Sequence, residues 1–327
     1  MKEKNKCLIC DNSGQTSIPF LNTTTHTLFT NKKISLCEKC GFGQIRPQIN
    51  TAHLNDYYEN YYRCKENEMH IDFNSSELNK TYQDYRSISQ LLLGTQYITP
   101  KKKYHFLDLG AGLGLSFISA KQILKNVRLF TMENNTDAKN FYKQELDNIT
   151  IFENFSEIKV KMDIVLMSHS LEHFDATELN NLLQNIYEIL EKDGLLIIEV
   201  PHADFRDLSY FKNRTNDTPH LSFFSLESLK KLVEKTNFEL CFINTAGNLL
   251  NDYFSKSQKI KRNKNIPLKK FKKNLFNIIK KRLKYLGFFE FIRETKTKLK
   301  VKNAFYENIN FKYGDNRDLI RCILKKK

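Results

Sequence analysis

The stretch that decides the fold is Asp108-Leu109-Gly110-Ala111-Gly112-Leu113-Gly114. It follows an apolar run, residues 104–109, which predicts a strand, and a helical pattern follows it. Glycine occupies alternate positions in this loop, and only glycine lets the backbone approach a ligand closely. Strand, glycine turn and helix start together predict the nucleotide-binding corner of an open α/β sheet.

The glycine spacing excludes two common ligand motifs. The dinucleotide fingerprint G-x-G-x-x-G would place its third glycine at position 115, where the chain has Leu115. A phosphate-binding P-loop needs a Lys-Ser/Thr pair, and none follows the glycines. An ordinary glycine turn without a ligand remains the alternative.

Further apolar runs predict the rest of a sheet. Amphipathic helices are predicted over 177–191 and 226–236, with Ser225 as N-cap of the second, and a lead helix over 76–97. The segment 244–257 looks like a linker. The strands predicted after the first are 128–132, 149–152, 162–167, 195–200, 238–245 and 317–324.

The D-x-G-x-G-x-G loop resembles the first motif of the class I S-adenosylmethionine-dependent methyltransferases, over the strand, the loop and the helix start. This resemblance implies S-adenosyl-L-methionine as cofactor, whose methionyl carboxylate suits the N–H groups at a helix N-terminus. It also implies an α/β fold with a Rossmann-like, seven-stranded mixed sheet whose last strand, 317–324, is antiparallel.

The ends of the predicted strands supply the expected cofactor contacts. Glu133 ends the second strand, 23 residues after Gly110, where an acidic side chain can accept both ribose hydroxyl hydrogens. Asn154 and Phe155 follow the third strand, where the family places its adenine contacts; turn and core roles are the alternative. The expected set is Asp108, Gly110, Ala111, Gly112, Gly114, Glu133, Asn154, Phe155 and Ser168.

Histidines supply the catalytic candidates. The segment Ser168-His169-Ser170-Leu171-Glu172-His173-Phe174 looks like the HVLEH segment of a sugar-modifying branch of the family, and residues 220–229 resemble its H-x-x-F-F-S-x-x-S-L element. A hydroxyl acceptor needs a base, and histidine has a pKa near working pH. His169 leads, followed by His220 and His202; a structural hydrogen bond is the alternative for each.

Two C-x-x-C pairs, Cys7 with Cys10 and Cys37 with Cys40, mark the N-terminal part of the chain. Four thiolates in tetrahedral geometry favour a closed, structural zinc site. Disulfides are the competing interpretation, but no signal peptide precedes the pairs, and the cysteine count is odd. A zinc module before the catalytic domain again resembles the sugar methyltransferases.

The chain is expected to have five parts. Four tyrosines lie within residues 57–62, where they either pack the zinc module onto the next helices or line the site, as in the family. The parts are a zinc-binding ribbon module (1–50), a tyrosine-rich helical lead (51–98), the methyltransferase core (99–247), a basic helical insert (248–312) and the final strand (313–327).

The net charge of +15 comes from one segment. Residues 256–302 hold 18 Lys or Arg against Glu290 and Glu294, so the remainder is close to neutral. The insert could pack its apolar stripe on the protein, lie on an anionic membrane surface, or receive a negatively charged acceptor. A cytoplasmic protein is expected, peripheral at the inner membrane face if the insert binds lipid.

The sequence favours methyl transfer to a hydroxyl of a sugar, nucleotide-sugar or glycan in surface-polysaccharide or related biosynthesis. The alternative is an RNA or other nucleic-acid methyltransferase, or a zinc-ribbon nucleic-acid binding protein. A nucleic-acid partner is disfavoured because Ser168-His169-Ser170-Leu171 replaces the N-P-P-Y type segment and no RNA-recognition signature is present. A third hypothesis is a tether without enzymatic activity, whose insert binds membrane.

Overall fold

The computed structural model of the chain describes residues 6–20, 26–61, 82–124, 126–146, 148–203, 220–249, 313–314 and 317–327. The basic segment 256–302 and the first residues of the predicted lead helix, 76–81, lie outside these ranges.

Eleven strands form two sheets in the described part of the chain. The larger sheet has seven strands and the smaller one has four. The strands are β1 Gln15–Pro19, β2 Lys33–Cys37, β3 Gly43–Arg46, β4 Tyr104–Leu109, β5 Val127–Met132, β6 Ile149–Phe152, β7 Met162–Ser168, β8 Leu190–Pro201, β9 Ser222–Phe223, β10 Glu239–Leu249 and β11 Arg317–Lys325.

The seven-stranded sheet has the order β10-β11-β8-β7-β4-β5-β6. Neighbours from β8 to β6 are parallel, whereas β11 runs antiparallel to both β8 and β10. The predicted fold class is therefore confirmed: this is a Rossmann-like mixed sheet whose last strand is antiparallel. Because β4 and β7 are adjacent and parallel, the loops that follow them meet at one edge of the sheet.

Six α-helices are described. Two apolar cores lie on the faces of the sheet, and β7 is buried along nearly its whole length because both cores cover it. The prediction of Ser225 as N-cap is confirmed, since its Oγ accepts a hydrogen bond of 3.0 Å from the backbone N–H of Ser228. The helices are α1 Thr51–Asn60, α2 Tyr82–Gly94, α3 Leu115–Ile123, α4 Thr136–Glu145, α5 Leu179–Ile189 and α6 Leu226–Glu234.

The small sheet joins the N-terminal part to the rest of the molecule. Its strand order is β1-β2-β3-β9, so the last strand comes from residues far along the chain. The rings of Phe42 and Phe224 lie 5.4 Å apart, and the Oγ of Ser225 donates a 2.5 Å hydrogen bond to the carbonyl of Cys40. The N-terminal sheet therefore shares a core with the larger one.

Within the described ranges, no helix combines the length and the apolar character that a crossing of the bilayer requires.

Candidate functional site

The glycine loop turns away from the end of β4 in a left-handed conformation. Gly110, Gly112 and Gly114 have φ values of +79°, +54° and +72°. A Cβ added to Gly110 would lie 3.0 Å from the Cβ of Ser170, whereas one added to Gly112 would meet no atom within 4 Å. Glycine is therefore needed at position 110 for close packing, and open space lies beside position 112.

Asp108, the last acidic residue before the loop, is buried with the hydroxyl of Ser116 donating to its Oδ2. Its Oδ1 has no hydrogen-bond partner in the part of the chain that is described. Burial raises the pKa of the Asp108 carboxyl to about 7, the Ser116 hydrogen bond opposes this rise, and the charge of Glu133 adds to it. Asp108 thus places an unsatisfied polar atom beneath the loop.

Glu133 follows β5 and contacts the glycine loop, and its assignment to the ribose hydroxyls stays a prediction. Its Oε2 accepts a 2.9 Å hydrogen bond from the backbone N–H of Gly112, and its Oε1 accepts one of 2.9 Å from Asn135. Burial raises the pKa of the Glu133 carboxyl, and these backbone hydrogen bonds oppose the rise. The acidic side chain therefore ties the loop to the next strand.

Three observations test whether these residues fit S-adenosyl-L-methionine. The backbone beside Gly112 is open to a ligand, Asp108 presents a buried oxygen without a partner, and Glu133 presents a carboxylate at the adjacent strand end. A ligand with an amine, ribose hydroxyls and no phosphate matches this donor and acceptor set. The residues fit the cofactor.

The predicted adenine contacts have structural partners. Asn154 is the N-cap of a short 3₁₀ helix, and its Oδ1 accepts a 3.1 Å hydrogen bond from the N–H of Ser156. Phe155 is partly buried against the core. These contacts are those of a turn and a core residue, and the assignment of Asn154 and Phe155 to adenine stays a prediction.

Ser168 and His169 lie where β7 ends, beside the glycine loop. The hydroxyl of Ser168 accepts a 2.8 Å hydrogen bond from the side chain of Gln90 on α2. His169 has a positive φ of 57°, and its backbone N–H donates a 2.9 Å hydrogen bond to the carbonyl of Glu199. The unusual backbone conformation turns this residue out of the strand at the edge of the sheet.

The imidazole of His169 lies between two buried carboxylates. Its Nδ1 is 3.4 Å from Oε1 of Glu172, and its Nε2 is 3.8 Å from Oε1 of Glu199. Burial opposes ionisation of Glu172, but the imidazoles of His169, His220 and His173 lower the pKa of its carboxyl to about 2. The edge of the sheet thus carries negative charge next to a histidine that is 27% exposed.

His220 and His173 complete this cluster. Nε2 of His220 is 3.9 Å from Oε1 of Glu172, and the rings of His173 and His220 lie 5.0 Å apart, edge to face. The hydroxyl of Tyr58, on α1, lies 2.7 Å from Nδ1 of His173. The structure therefore brings His169 and His220 to the same carboxylate, and it adds a tyrosine from the predicted tyrosine-rich segment.

His202 has a different environment. Only 3% of it is exposed, and its Nδ1 lies 2.8 Å from the backbone carbonyl of Arg317. Its backbone N–H donates to the carbonyl of Asp318. These contacts join the end of β8 to β11 and favour the structural alternative for His202, whose catalytic role stays a prediction.

The four N-terminal cysteines lie together. One sulfur from each of Cys7, Cys10, Cys37 and Cys40 falls within 4.8 Å of all the others, and none of them forms a disulfide. The Sγ atoms of Cys7 and Cys40 are 3.7 Å apart, and those of Cys10 and Cys37 are 3.4 Å apart. Tetrahedral ligands at a Zn–S distance of about 2.3 Å lie about 3.8 Å apart, so the four sulfurs fit zinc.

Two site residues were missed by the sequence analysis. Glu172 was read only as part of a family segment, although its i,i+3 spacing from His169 could have suggested a pair. Glu199 lies opposite Arg321 in the β8–β11 register, and this pairing carries no local sequence signal. Both carboxylates become recognisable as site residues only through their burial and through contacts between segments that are distant in the sequence.

Residues 80–241 match the family described as "Methyltransferase domain". Over this range the chain is similar to a methyltransferase domain. The match covers the glycine loop, Glu133, His169, Glu172 and His220, whereas it leaves out the cysteine cluster and β11. No curated protein matches the chain.

Several solved structures are similar to this chain. A mycolic acid cyclopropane synthase complexed with SAH and CTAB has a TM-score of 0.50 at 12% identity, with 83% of this chain and 98% of that chain covered. This likeness shows the fold alone. A coclaurine N-methyltransferase bound to N-methylheliamine and SAH has a TM-score of 0.48 at 18% identity, with 84% and 86% covered. The cyclopropane synthase MmaA2 from Mycobacterium tuberculosis has a TM-score of 0.47 at 12% identity, with 84% and 93% covered.

Proposed function

We propose that the protein transfers a methyl group from S-adenosyl-L-methionine to a hydroxyl of a sugar, a nucleotide-linked sugar or a glycan. One observation carries this proposal: the glycine loop and the pair of His169 and Glu172 follow two adjacent parallel strands, and His220 approaches the same carboxylate. Cofactor and acceptor would therefore meet between the loops after β4 and β7.

The glycine loop and Glu133 are the part of the site that would hold the cofactor. When bound, S-adenosyl-L-methionine supplies a methyl group activated on a sulfonium. The backbone around Gly112 would lie against it, and Glu133 would accept hydrogen bonds from ribose hydroxyls. Because Glu133 already accepts from the N–H of Gly112, it also holds the loop in the shape that the ligand needs.

His169 is the residue that we assign to the acceptor hydroxyl. The leaving thioether needs no proton, so the protein's tasks are to align the acceptor and to accept the proton that the hydroxyl loses. Glu172 lies 3.4 Å from Nδ1 of His169, close enough for its charge to stabilise the protonated imidazole. His220 lies beside the same carboxylate, with its Nε2 at 3.9 Å from Oε1 of Glu172.

The polar lining supports a hydroxylated acceptor. Two imidazoles, a carboxylate and, through His173, the hydroxyl of Tyr58 lie together at this edge of the sheet. Such groups both donate and accept hydrogen bonds, and a sugar presents several hydroxyls that do the same. An acceptor with a purely apolar surface would cover these polar groups without offering them a hydrogen bond.

We also propose that the four cysteines hold a structural zinc ion. Their sulfur spacing and burial fit four thiolate ligands with no open position for water. The ion would link the two C-x-x-C pairs to one another, and it would take no part in methyl transfer.

The proposal is tested with purified full-length protein, S-adenosyl-L-methionine with a labelled methyl group, and a panel of nucleotide-linked sugars analysed by mass spectrometry. A labelled sugar product is expected. His169→Ala should lower turnover by about 10²- to 10⁴-fold while the calorimetric affinity for the cofactor changes little. His53→Ala, at an exposed position of α1, is the matched control and should keep the wild-type rate.

Two results would overturn parts of this proposal. Labelling of RNA with no labelling of any sugar would reject the acceptor class. Equal losses of cofactor affinity and turnover in His169→Ala would mean that this imidazole only supports the cofactor loop. The proton acceptor would then have to be another residue of the cluster.

A further inference from the structure

Glu172, His173 and His220 form a second group of side chains with metal-ligating atoms, separate from the four cysteines. One ligand atom of each residue lies within 4.8 Å of the corresponding atoms of the other two. Two imidazoles and one carboxylate are a recurring ligand set for divalent transition metals, in which three protein ligands leave other positions open. The spacing is therefore small enough for a single ion.

The buried carboxylate of Glu172 is the feature that most favours a bound cation at this position. Only 1% of the residue is exposed, and neither of its oxygens has a hydrogen-bond partner among the described residues. A buried carboxylate without such partners carries a large desolvation cost. The histidine nitrogens around it, at 3.4 and 3.9 Å, lie beyond ordinary hydrogen-bond length. A bound cation would satisfy this carboxylate directly.

The two segments that carry these ligands are fixed to one another. The backbone N–H of Leu221 donates a 2.9 Å hydrogen bond to the carbonyl of Glu172, and the hydroxyl of Ser222 donates one of 2.8 Å to the carbonyl of Phe174. Side chains on such a framework are already in position before a ligand binds. Binding therefore costs little conformational entropy.

Tyr58 supplies an outer contact from the N-terminal part of the chain. Its hydroxyl lies 2.7 Å from Nδ1 of His173, and the two rings pack edge to face with centroids 5.8 Å apart. A hydrogen bond to one ring nitrogen is what orients a metal-bound imidazole and sets its tautomer. The α1 helix thus supports the group from outside.

We propose that Glu172, His173 and His220 bind a divalent transition-metal cation whose remaining positions face the acceptor. Imidazole ligands favour iron, cobalt, nickel or zinc over magnesium and calcium. Metal binding itself does not depend on the proposed function. The role of the cation toward the acceptor does rest on the proposed methyl transfer. The cation would bind two neighbouring oxygens of the acceptor and lower the pKa of the acceptor hydroxyl beside His169. The substrate class is thereby narrowed to sugars with adjacent oxygen donors.

The test uses Co²⁺ added to zinc-loaded full-length protein. Cobalt precedes zinc in the affinity series, so it should not displace zinc from the four cysteines. One Co²⁺ per chain is expected by calorimetry, with a visible spectrum that lacks the near-ultraviolet charge-transfer bands of cobalt bound to thiolates. No binding, or a spectrum with those thiolate bands, would overturn the proposal.

Variants assign the ligands. Glu172→Gln keeps the shape of the side chain, and both it and His220→Ala should weaken Co²⁺ binding by about 100-fold or more, while Tyr58→Phe should weaken it by about 10-fold. His53→Ala should bind like the wild type. Unchanged Co²⁺ affinity in both Glu172→Gln and His220→Ala would overturn the assignment, provided that circular dichroism shows folded protein.

A cofactor titration on the same samples separates the two proposals. If S-adenosyl-L-methionine binds and Co²⁺ does not, the metal site is overturned and methyl transfer is unaffected. If Co²⁺ binds to the wild type but the cofactor does not, the proposed function is overturned, and the metal site is supported without its role toward the acceptor.

Discussion

At position 112 the left-handed backbone requires glycine for two separate reasons. The φ of +54° strains any other residue, and a side chain there would extend into space that we assign to the cofactor. Gly314 has the same kind of backbone strain, with a φ of +84° and no atom within 4 Å of an added Cβ, but it lies outside the glycine loop. The two glycines therefore allow backbone strain to be separated from loss of ligand space.

Gly112→Ala and Gly314→Ala should each lower the free energy of unfolding by about 1 kcal/mol. Only Gly112→Ala should weaken S-adenosyl-L-methionine binding, by about 10- to 100-fold, because its methyl group competes with the ligand for space. Calorimetry with the cofactor and urea denaturation measure the two effects. Equal cofactor affinity in the two variants would contradict the assignment of the loop.

Asp108 should make the protein less stable as the pH rises toward 7. Burial raises the pKa of this carboxyl from 3.8 to about 7, so between these values the folded protein holds a proton that the unfolded chain has released. The stabilisation is fully present below pH 4 and is lost as the pH passes 7. Its upper limit is roughly 4 kcal/mol, and Glu133, whose pKa is also raised, acts in the same direction.

Urea denaturation of the protein without cofactor, at pH 5 and pH 8, measures this effect. Asp108→Asn, which cannot ionise, should reduce the difference in the free energy of unfolding between the two pH values. A variant with the same pH dependence as the wild type would show that Asp108 is not the titrating group.

Strands β8 and β11 are joined by more than backbone hydrogen bonds. Glu199 and Arg321 lie opposite each other in the antiparallel register, and their side chains form an ion pair that is almost completely buried. Arg86 of α2 approaches the other oxygen of Glu199 at 3.5 Å, and Arg321 donates a 2.7 Å hydrogen bond to Ser89. The pair therefore links the antiparallel strand, the parallel part of the sheet and a covering helix.

Arg321→Leu should lower the free energy of unfolding by about 3–5 kcal/mol, because it leaves the charge of Glu199 buried with a weaker counter-ion. The double variant Arg321→Leu/Glu199→Leu should recover part of this loss. Lys231→Ala, which breaks the exposed pair with Glu227, serves as control and should leave the urea midpoint unchanged. A single variant with the wild-type midpoint would show that this pair does not support the sheet.

Six of the seven strands of the large sheet were predicted to within about four residues, because an apolar run between two turns indicates a buried strand. Strand β8 begins at Leu190, earlier than the predicted 195–200. Strand β10 is longer than predicted: residues 244–249, which look like a linker, pair with β11, and Ala246 lies opposite Leu319. Strand β9 was not predicted, since two residues form a strand only because β3 lies beside them. The histidine motifs were visible in the sequence, but their convergence on Glu172 depends on the fold.

Across the whole molecule, the cysteine cluster belongs to the main core. Cys7, Cys37 and Cys40 are buried in the same apolar cluster as Leu229 and Val233 of α6. The predicted boundary at residue 50 stays a prediction, but packing contacts and a strand pair cross it. Loss of a metal from the cluster should therefore also lower the stability of the seven-stranded sheet and its helices.

Removal of zinc with a strong chelator, or the variant Cys37→Ser, should lower the melting temperature of a single cooperative transition by at least roughly 5 °C. Elemental analysis of the untreated protein should find zinc bound to the four cysteines. Differential scanning calorimetry measures the transition. Two separate transitions, with the upper one unchanged by the chelator, would show that the N-terminal sheet unfolds independently.

The strand pair between β3 and β9 also has a consequence during synthesis on the ribosome. Residues 15–46 emerge early with their three strands, but the edge of β3 has no partner until Ser222 and Phe223 have been translated. At about 5–20 residues per second, this wait lasts roughly ten seconds or more. An open strand edge can pair with other chains, so zinc binding to the two C-x-x-C pairs would protect this nascent segment by stabilising its fold.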